Sequence, residues 1–519
     1  MSIHWPIIKR LLCSPRRTAI VDDNRSYRGI DLLVAASHVA SVVQSVSSSS
    51  TLGILLPTGG AFPIAALAGW ASGKTIVPLN YLLKHDELQY VVDDCGCDTI
   101  VTAGPMLNFL GYEPKHTRII RIEELNFRAM PDLRFPAGAD DDDLGVLLYT
   151  SGTSGKPKGV MLTHGNISAN ISQVMRYANF KPHQVFLGVL PQFHSFGLTV
   201  LTLLPLMKGW KAVYTARFVP GKLIRLMREH RPTVLVAIPS MYNALLHAKD
   251  AASDDFASFQ FVISGGEPLP QAVADAFLQR FGVRINEGYG LTETAPVTNM
   301  CLPEEFRARS VGRSMPGITE RIVDISTGQD LPPGHEGEIR IAGPNVMRGY
   351  YNLPAESAAA FDERGALRTG DIGRIDEDGH LYITGRLKEM LIIGGENVFP
   401  REIEEVLNRH PSVKDSGVVG APDPMRGEEP IAFVEMKPLD DPGARAPGNE
   451  RASESGGVDD GARPVPDVKT HTFDERELLA WCRKHLAGYK VPREIRRVDA
   501  LPRNPTGKVM RRELKNMLP

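Results

Sequence analysis

An excess of charge of one sign is lacking in this 519-residue chain: 59 Lys and Arg stand against 61 Asp and Glu, a net charge of −2. A nucleic-acid binder normally carries a strongly basic face, so that class is set aside. Cysteine is rare as well, five in all, and the Cys95-x-Cys97 pair fits no metal-ligand spacing; the thiols read as reduced core residues. No apolar run reaches the roughly 18 residues of a membrane span. The longest, Leu198 to Met207, contains Pro205 and stops at Lys208, and reads as a buried wall. Met1 to Arg17 has only short apolar stretches broken by Lys9 and Arg10, which argues against a secretory signal. The ending Asn516-Met517-Leu518-Pro519 is no peroxisomal address, so the expected compartment is cytoplasmic. What remains, 42% hydrophobic and 23% charged residues, describes a soluble globular protein of about three domain-sized units.

From about Thr51 to Thr384, short Val/Ile/Leu runs alternate with amphipathic stretches. Leu52–Leu56, Thr75–Leu79, Thr233–Ala237 and Gln260–Ile263 read as buried strands, with helices at Lys222–His230 and Gln271–Phe281. Alternation of this kind predicts α/β structure with layered, mostly parallel sheets. Between Arg321 and Ile383, turns at Pro333-Gly334, Arg364-Gly365 and Asp378-Gly379 predict a small antiparallel β unit. After Gly385 a compact α+β unit is expected. Pro400 suits a first helical turn, Ile403, Val406 and Leu407 share one helical face, and Val413–Gly420 and Ile431–Met436 read as strands. Residues 440–472 hold too few large apolar side chains to offset their ordering entropy and read as a disordered loop. Leu478-Leu479-Ala480-Trp481 resumes a helix, and no internal repeat is found.

The chemistry starts at Tyr149 to Val160, Y-T-S-G-T-S-G-K-P-K-G-V, directly after the strand-like run Leu144–Leu148. Such a loop can turn several N–H groups inward as an anion-binding nest, and Lys156 and Lys158 add positive charge for a polyphosphate. It is not a Walker A loop: Gly152 and Gly155 are too close, and Pro157 stands where Ser or Thr should hold magnesium. Ser264-Gly265-Gly266-Glu267-Pro268 would let a flat ring approach the backbone. Gly288-Tyr289-Gly290-Leu291-Thr292-Glu293-Thr294 offers an aromatic platform, a hydroxyl and a carboxylate. Arg368-Thr369-Gly370-Asp371 sets an acceptor-only carboxylate in a turn, suited to paired sugar hydroxyls. Gly385-Arg386-Leu387-Lys388 stands at the composition break, and Asn504-Pro505-Thr506-Gly507-Lys508 puts a lysine on a turn. Each stretch taken singly reads equally well as a structural turn or a solvated charge. Their order and joint presence carry the inference.

In that order, from Pro78-Leu79-Asn80 to Lys508, they resemble the adenylate-forming superfamily: acyl-CoA synthetases, luciferases and the adenylation domains of peptide synthetases. Within it the chain is most similar to AMP-forming fatty acyl-CoA ligases. The resemblance implies a large AMP-binding domain over 1–384 and a small mobile lid over 385–519, hinged near Lys388. It implies a two-step reaction. A carboxylic acid and ATP give an acyl-adenylate and pyrophosphate; the thiol of coenzyme A then displaces AMP. The same resemblance assigns roles. Thr150, Ser151, Gly152, Thr153, Ser154, Gly155 and Lys156 would hold the β and γ phosphates, and Glu293 would ligate Mg²⁺. Thr292 would donate to the α phosphate. Tyr289 would stack on adenine beside Gly290, with Gly265, Gly266 and Glu267 across the ring. Asp371 and Arg386 would bind ribose. Lys508 would bridge the attacking carboxylate and the α phosphate, and Gly394 and Gly395 would line the pantetheine tunnel. Gly385 stands where many members have Asp, and Leu367 where an aromatic often precedes the T-G-D turn.

Phe193-His194-Ser195-Phe196-Gly197 bears on the acid. Amino-acid-activating relatives have an aspartate where His194 stands, which argues against an amino acid. His194 is expected beside the acid's carboxylate and the thiol entrance; a packed core imidazole is the alternative. Leu198, Val200, Leu201, Leu203 and Leu204, continued by Ala237, Ile238, Met241 and Gly265, are expected to form an apolar wall. That wall suits a medium- or long-chain fatty acid, and an aromatic acid of the coumarate type also fits. An acyl carrier protein is an alternative thiol partner. Peripheral membrane contact and either a monomer or a homodimer stay open. His410-Pro411-Ser412-Val413-Lys414-Asp415 matches the H-x4-D spacing of glycerolipid acyltransferases but reads as a connector between helix and strand. A light-emitting oxygenase is a kin function that nothing in the sequence favours. A degenerate binding module should have lost Lys508, Glu293 or Asp371, and all three are present.

Overall fold

A computed structural model describes residues 2–132, 135–150, 156–437, 471–503 and 509–518. Ser151, Gly152, Thr153, Ser154, Gly155 and Lys508 lie outside the described residues, as does the expected disordered loop except for residues 471 and 472. The chain divides into two compact units, Met1–Thr384 and Gly385–Pro519.

The first unit is built on two large sheets of mostly parallel strands. In a nine-stranded sheet Val185–Gly188, Lys211–Tyr214, Val234–Ala237, Phe261–Ser264 and Asn286–Gly290 run parallel. A seven-stranded sheet holds Thr51–Leu55, Thr75–Pro78, Thr99–Thr102, Arg118–Arg121 and Leu144–Thr150 in parallel, with Lys158–Thr163 folded back antiparallel on the last. Strands covered on both faces have no polar side to show, so Val234-Leu235-Val236-Ala237 is apolar throughout and wholly buried. The expected helix Gln271–Phe281 forms with those bounds and buries Phe277 and Phe281 against Phe256, ring centroids 5.1 and 4.5 Å apart. The helix Gly29–Val46 is long and apolar enough to cross a membrane by length and composition. Here Leu32, Ala35, Ala36, Val39, Ala40 and Val43 form a buried stripe at helical spacing, packed in the main core. Four of the five cysteines are buried as expected; Cys13, at the end of the helix His4–Cys13, is exposed and is not a core thiol.

The second unit packs the helix Pro400–Asn408 on the antiparallel pair Val413–Asp423 and Gly427–Met436, and the helix Glu475–His485 completes its core through Leu478 and Cys482. Leu391–Ile393 and Glu396–Val398 form a hairpin whose two-residue turn is Gly394-Gly395. Gly394 and Gly395 have φ of 61° and 88°, the left-handed pair that the twist of a tight hairpin demands. The H-x4-D segment is structural. His410 is buried, 3.4 Å from Glu477 and edge-on to Trp481, while Asp415 pairs with Arg503 and accepts from Asn408.

In the first unit a four-stranded sheet includes the antiparallel strands Thr319–Val323, Gly337–Ala342 and Leu367–Ile375. On its first strand the Glu320 carboxyl is enclosed. Oε2 accepts from Asn299 Nδ2 at 3.1 Å, and Oε1 has no hydrogen-bond partner among the described residues. Desolvation pushes its pKa up from 4.5 to about 7. Since the folded form holds this proton more tightly than the unfolded chain, stability is fullest below about pH 4.5, falls as pH rises toward 7 and levels above it. The loss is at most about 3 kcal/mol. Glu320→Gln is therefore expected to flatten that limb of the pH–stability curve, read by urea unfolding from pH 5 to 8; an unchanged slope would place the ionisation elsewhere.

Candidate active site

The described residues singled out in the first unit lie at or just past the carboxyl ends of its parallel strands, except Asp371, which stands on the antiparallel strand Leu367–Ile375. After Val185–Gly188 the chain turns at Pro191, whose carbonyl accepts from His194 N at 3.1 Å. Gly197 must be glycine, because a Cβ there would stand 2.0 Å from the same carbonyl oxygen. From this turn starts a π-helix, Phe196–Leu203, a winding that is rare and concentrates at functional sites. Phe196 lies against Gly265, which follows Phe261–Ser264; a Cβ on Gly265 would meet the ring at 2.7 Å. Gly266 behaves oppositely. It is exposed at φ 82°, and a Cβ would meet nothing nearer than Ile238 at 3.8 Å. Glu267 is half-buried beside it.

Asn286–Gly290 contributes the next groups. Tyr289 Oη donates to Asp371 Oδ2 at 2.7 Å, and Asp371 is only 2% exposed. The Asp371 amide donates to Thr369 Oγ1, which in turn donates to the Ile339 carbonyl at 2.6 Å, so the T-G-D turn is fixed from beneath. Gly290 has a structural reason to lack a side chain: a Cβ would lie 1.9 Å from the Pro296 carbonyl oxygen, which accepts from Leu291 N. The short turn Thr292–Thr294 then presents two polar groups. Thr292 Oγ1 is 3.3 Å from Ser195 Oγ, which joins this turn to the His194 segment. Glu293 Oε1 accepts from Tyr350 Oη at 3.0 Å, and Lys158 Nζ lies 5.3 Å from the centre of the Tyr350 ring. Desolvation, with the Glu293 charge beside it, raises the Tyr350 pKa and keeps the phenol a donor. Sequence reasoning gave no role to Tyr350 or Ser195. No spacing rule ties Tyr350 to a carboxylate 57 residues away.

His194 is solvent-exposed, which removes the packed-core alternative, yet surrounding protein desolvates the ring and lowers its pKa. The lowered pKa favours the neutral imidazole, which can both donate and accept. The expected apolar wall is corrected. Leu198, Leu201, Leu203, Leu204 and Ala237 are no more than 1% exposed and Val200 8%, all packed in the main core. Of that list Ile238 and Met241 are left half-exposed, as is Phe196, which the expected wall did not include. A helix of eight to thirteen apolar residues buries most of its circumference, and sequence alone does not say which residues face a cleft.

In the second unit Arg386 ends the strand Leu381–Arg386, and Lys388 lies exposed in the short turn Leu387–Glu389. Next to it Arg511 Nη1 bonds Glu389 at 2.7 Å and its Nη2 bonds Glu404 at 2.6 Å; Glu404 also accepts from Val418 N. The turn Leu387–Glu389 and the helix Arg511–Lys515 are thus tied to each other and to Glu404 by one guanidinium.

Hydroxyls and carboxylates are hard oxygen ligands and the lysine ammoniums are cations for phosphate, a set that fits a magnesium polyphosphate rather than a soft metal. Among the described residues no cluster of three His, Cys, Asp or Glu could hold an ion by itself. A site relying on Glu293 alone accords with magnesium, which takes few protein ligands and completes its shell from phosphate and water. The AMP-binding enzyme family matches residues 9–351, and the C-terminal domain of AMP-binding enzymes matches 402–453 and 458–508. The chain belongs to the adenylate-forming superfamily. It is 31% identical to a feruloyl-CoA synthase of Amycolatopsis over 98% of both chains. It is 36% identical to a long-chain-fatty-acid–CoA ligase of Bacillus subtilis, over 74% of this chain and 63% of that one. In structure it is similar to o-succinylbenzoate CoA synthetase of B. subtilis in complex with ATP and magnesium. That match has a TM-score of 0.81 and 28% identity, with 98% of this chain and 99% of that chain covered.

Gly290→Ala is expected to cost about 3 kcal/mol or more, because backbone rather than a flexible side chain blocks the added methyl. Urea unfolding checks this; a loss under about 1 kcal/mol would show that the Pro296 turn yields.

Proposed function

We propose that this chain is an ATP-dependent carboxylic acid–CoA ligase that passes through an acyl-adenylate and acts on an acid with an apolar tail. The observation that carries the reading is the joint placement of Tyr289 on buried Asp371 with Thr292 and Glu293 on one rim of the sheet. A carboxylate is a weak nucleophile toward a polyanion, so the first step needs screening and alignment more than a base. Lys156 and Lys158 supply charge for the polyphosphate, Thr150 and Thr292 supply hydroxyl donors, and Glu293 would hold Mg²⁺. When bound, that ion adds a hard positive charge that draws electron density from the phosphoryl oxygens. Asp371, an acceptor fixed by Tyr289 and its turn, suits the ribose hydroxyls. His194 would orient the acid's carboxylate by hydrogen bonding, its lowered pKa favouring the uncharged ring. Lys508 is the proposed donor to the oxygens on which charge develops; losing one preorganised donor typically costs on the order of a hundred- to a thousand-fold.

Phe196, Ile238 and Met241 give the acid an apolar contact with no charged partner among them. A medium- or long-chain fatty acid is the first reading. A cinnamic-type aryl acid is the second, favoured by the aromatic Phe196 lying flush with the Gly265 backbone and by a feruloyl-CoA synthase among the full-length relatives.

Pyrophosphate release across a panel of fatty, aryl and amino acids, with and without coenzyme A, tests class and substrate together. Release with apolar acids alone is expected, and none with any acid overturns the reading. Repeating the thioester step with a carrier-protein phosphopantetheine separates the two thiol partners. Lys508→Ala is expected to lower adenylate formation at least about a hundredfold while sparing thioester formation from supplied acyl-AMP. Equal loss in both steps would count against that role. Lys388→Pro should slow the thioester step more than adenylation, as a pivot there requires, and equal rates would remove the pivot.

A further inference from the structure

The turn that carries His194 stands on a buried polar chain outside every motif named above. Gln192, two residues before His194, is 1% exposed, as is Thr202. Gln192 Oε1 accepts from Gly59 N at 2.9 Å, and the Gln192 amide donates to Thr58 Oγ1 at 3.4 Å. Thr58 and Gly59 follow the strand Thr51–Leu55, so the rim of one large sheet is fastened to the rim of the other. On its other side Gln192 Nε2 donates to Thr202 Oγ1 at 3.0 Å, and that hydroxyl donates to the Gly197 carbonyl at 2.9 Å. The residue types fit the chain: a carboxamide both accepts and donates, and a hydroxyl whose one proton goes to Gly197 can only accept from Gln192. Gly197 lies five residues before Thr202. In an α-helix a threonine hydroxyl bonds a carbonyl three or four residues back, so this bond exists only while the turn stays wide. The Leu204 amide keeps the same spacing by bonding the Thr199 carbonyl, and the Leu201 carbonyl accepts from Tyr214 Oη at 3.0 Å.

We infer that Gln192 and Thr202 are positioning residues that hold the π-helical winding of Phe196–Leu203 and thereby set which acids the cleft accepts. The inference rests on the function proposed above and deepens it. A π turn holds one residue more than an α turn, so relaxing it rotates the residues ahead of it by about 100° against those behind. Those ahead are His194, Ser195 and Phe196. Ser195 lies 3.3 Å from Thr292, and the Phe196 ring fills the space that a side chain on Gly265 would need. Neither contact survives such a rotation, and the apolar contact that Phe196 makes with the acid goes with them. The pairs Tyr289–Asp371 and Glu293–Tyr350 stand on other strands and turns, so the chain acts on the acid and leaves the seat of the nucleotide in place.

Steady-state pyrophosphate release by the full chain, with decanoate and with ferulate as the acid, reads the specificity. Gln192→Leu and Thr202→Val each leave a buried partner unpaired. Either is expected to raise the acid KM about tenfold and to change the decanoate-to-ferulate ratio of kcat/KM at least about threefold, with the KM for ATP within about twofold of the parent. Thr202→Ser, which keeps the hydroxyl, should retain the parent ratio. The double variant should lose no more than either single one, because both break the same chain. Hydrogen exchange reads the winding and needs no turnover: amides of 196–204 should exchange about tenfold faster in Thr202→Val, while those of Val185–Gly188 and Phe261–Ser264 keep their protection. An unchanged acid ratio beside faster exchange, or an ATP KM that rises with the acid KM, would reduce the chain to a structural support and overturn the inference. Parent-like exchange at 196–204 in a folded Thr202→Val protein would overturn it as well. Failure of the function proposed above has a different signature: exchange responds as described, yet the parent releases no pyrophosphate with any acid.

Discussion

Parallel register is the constraint on which the rest depends. Gly188 sits beside Val236, Ala237 beside Ser264 and Ser264 beside Glu287, so adjacent strands finish level with one another. Every connection in such a sheet must return to the opposite edge before the next strand begins, and the residues just past each strand emerge on one rim. Ser195 and Thr292, 97 residues apart, come within 3.3 Å for that reason, and Asp371, brought in by the separate antiparallel sheet, meets Tyr289 at this rim across 82 residues. The rim costs little to specify locally. It follows from apolar runs that bury both faces and leave the polar and glycine residues to the turns.

Those glycines are of two kinds, and the difference is physical. Gly197, Gly265 and Gly290 abut the Pro191 carbonyl, the Phe196 ring and the Pro296 carbonyl, each so closely that any side chain displaces a neighbour. They exist so that segments can pack. Gly266, Gly394 and Gly395 have positive φ and open space around them, nothing or only Ile238 lying within 4 Å of a Cβ. They permit a backbone shape and leave the surface clear. A motif written as letters treats both alike, although only the second kind leaves room for a ligand to approach.

This explains which parts were legible in the sequence. Strands such as Val234–Ala237 and the helix Gln271–Phe281 could be read because burial on two faces or one leaves a periodic imprint. The nucleotide motifs were legible because unusual residue types recur in a fixed order. The apolar wall after His194 was legible in composition only. Leu198 and Leu201 went into the core and Phe196 stayed at the cleft, a choice made by π-helical winding that no 3.6-residue count anticipates. Tyr350 and Ser195 were not legible at all. Each acts through a neighbour distant in sequence, and a single tyrosine or serine looks the same whether or not it has that neighbour.

The way the two loop lysines are held shows why such silent residues matter. A lysine next to a polyanion site must be restrained, or its side-chain entropy is lost on binding, yet an ion pair with a carboxylate would spend the charge the site needs. Lys156 and Lys158 both lie 5.3 Å from a tyrosine ring centre, over Tyr90 and Tyr350. The aromatic face attracts the ammonium through its quadrupole and leaves the unit charge intact. A carboxylate beside each ring is engaged by a phenol: Asp94 by Tyr149 and Glu293 by Tyr350. Each phenol has its pKa raised by desolvation together with that carboxylate, so it stays a donor across the neutral range. Positive charge is thereby kept directed at the proposed polyphosphate, and negative charge is kept where a hard cation can use it.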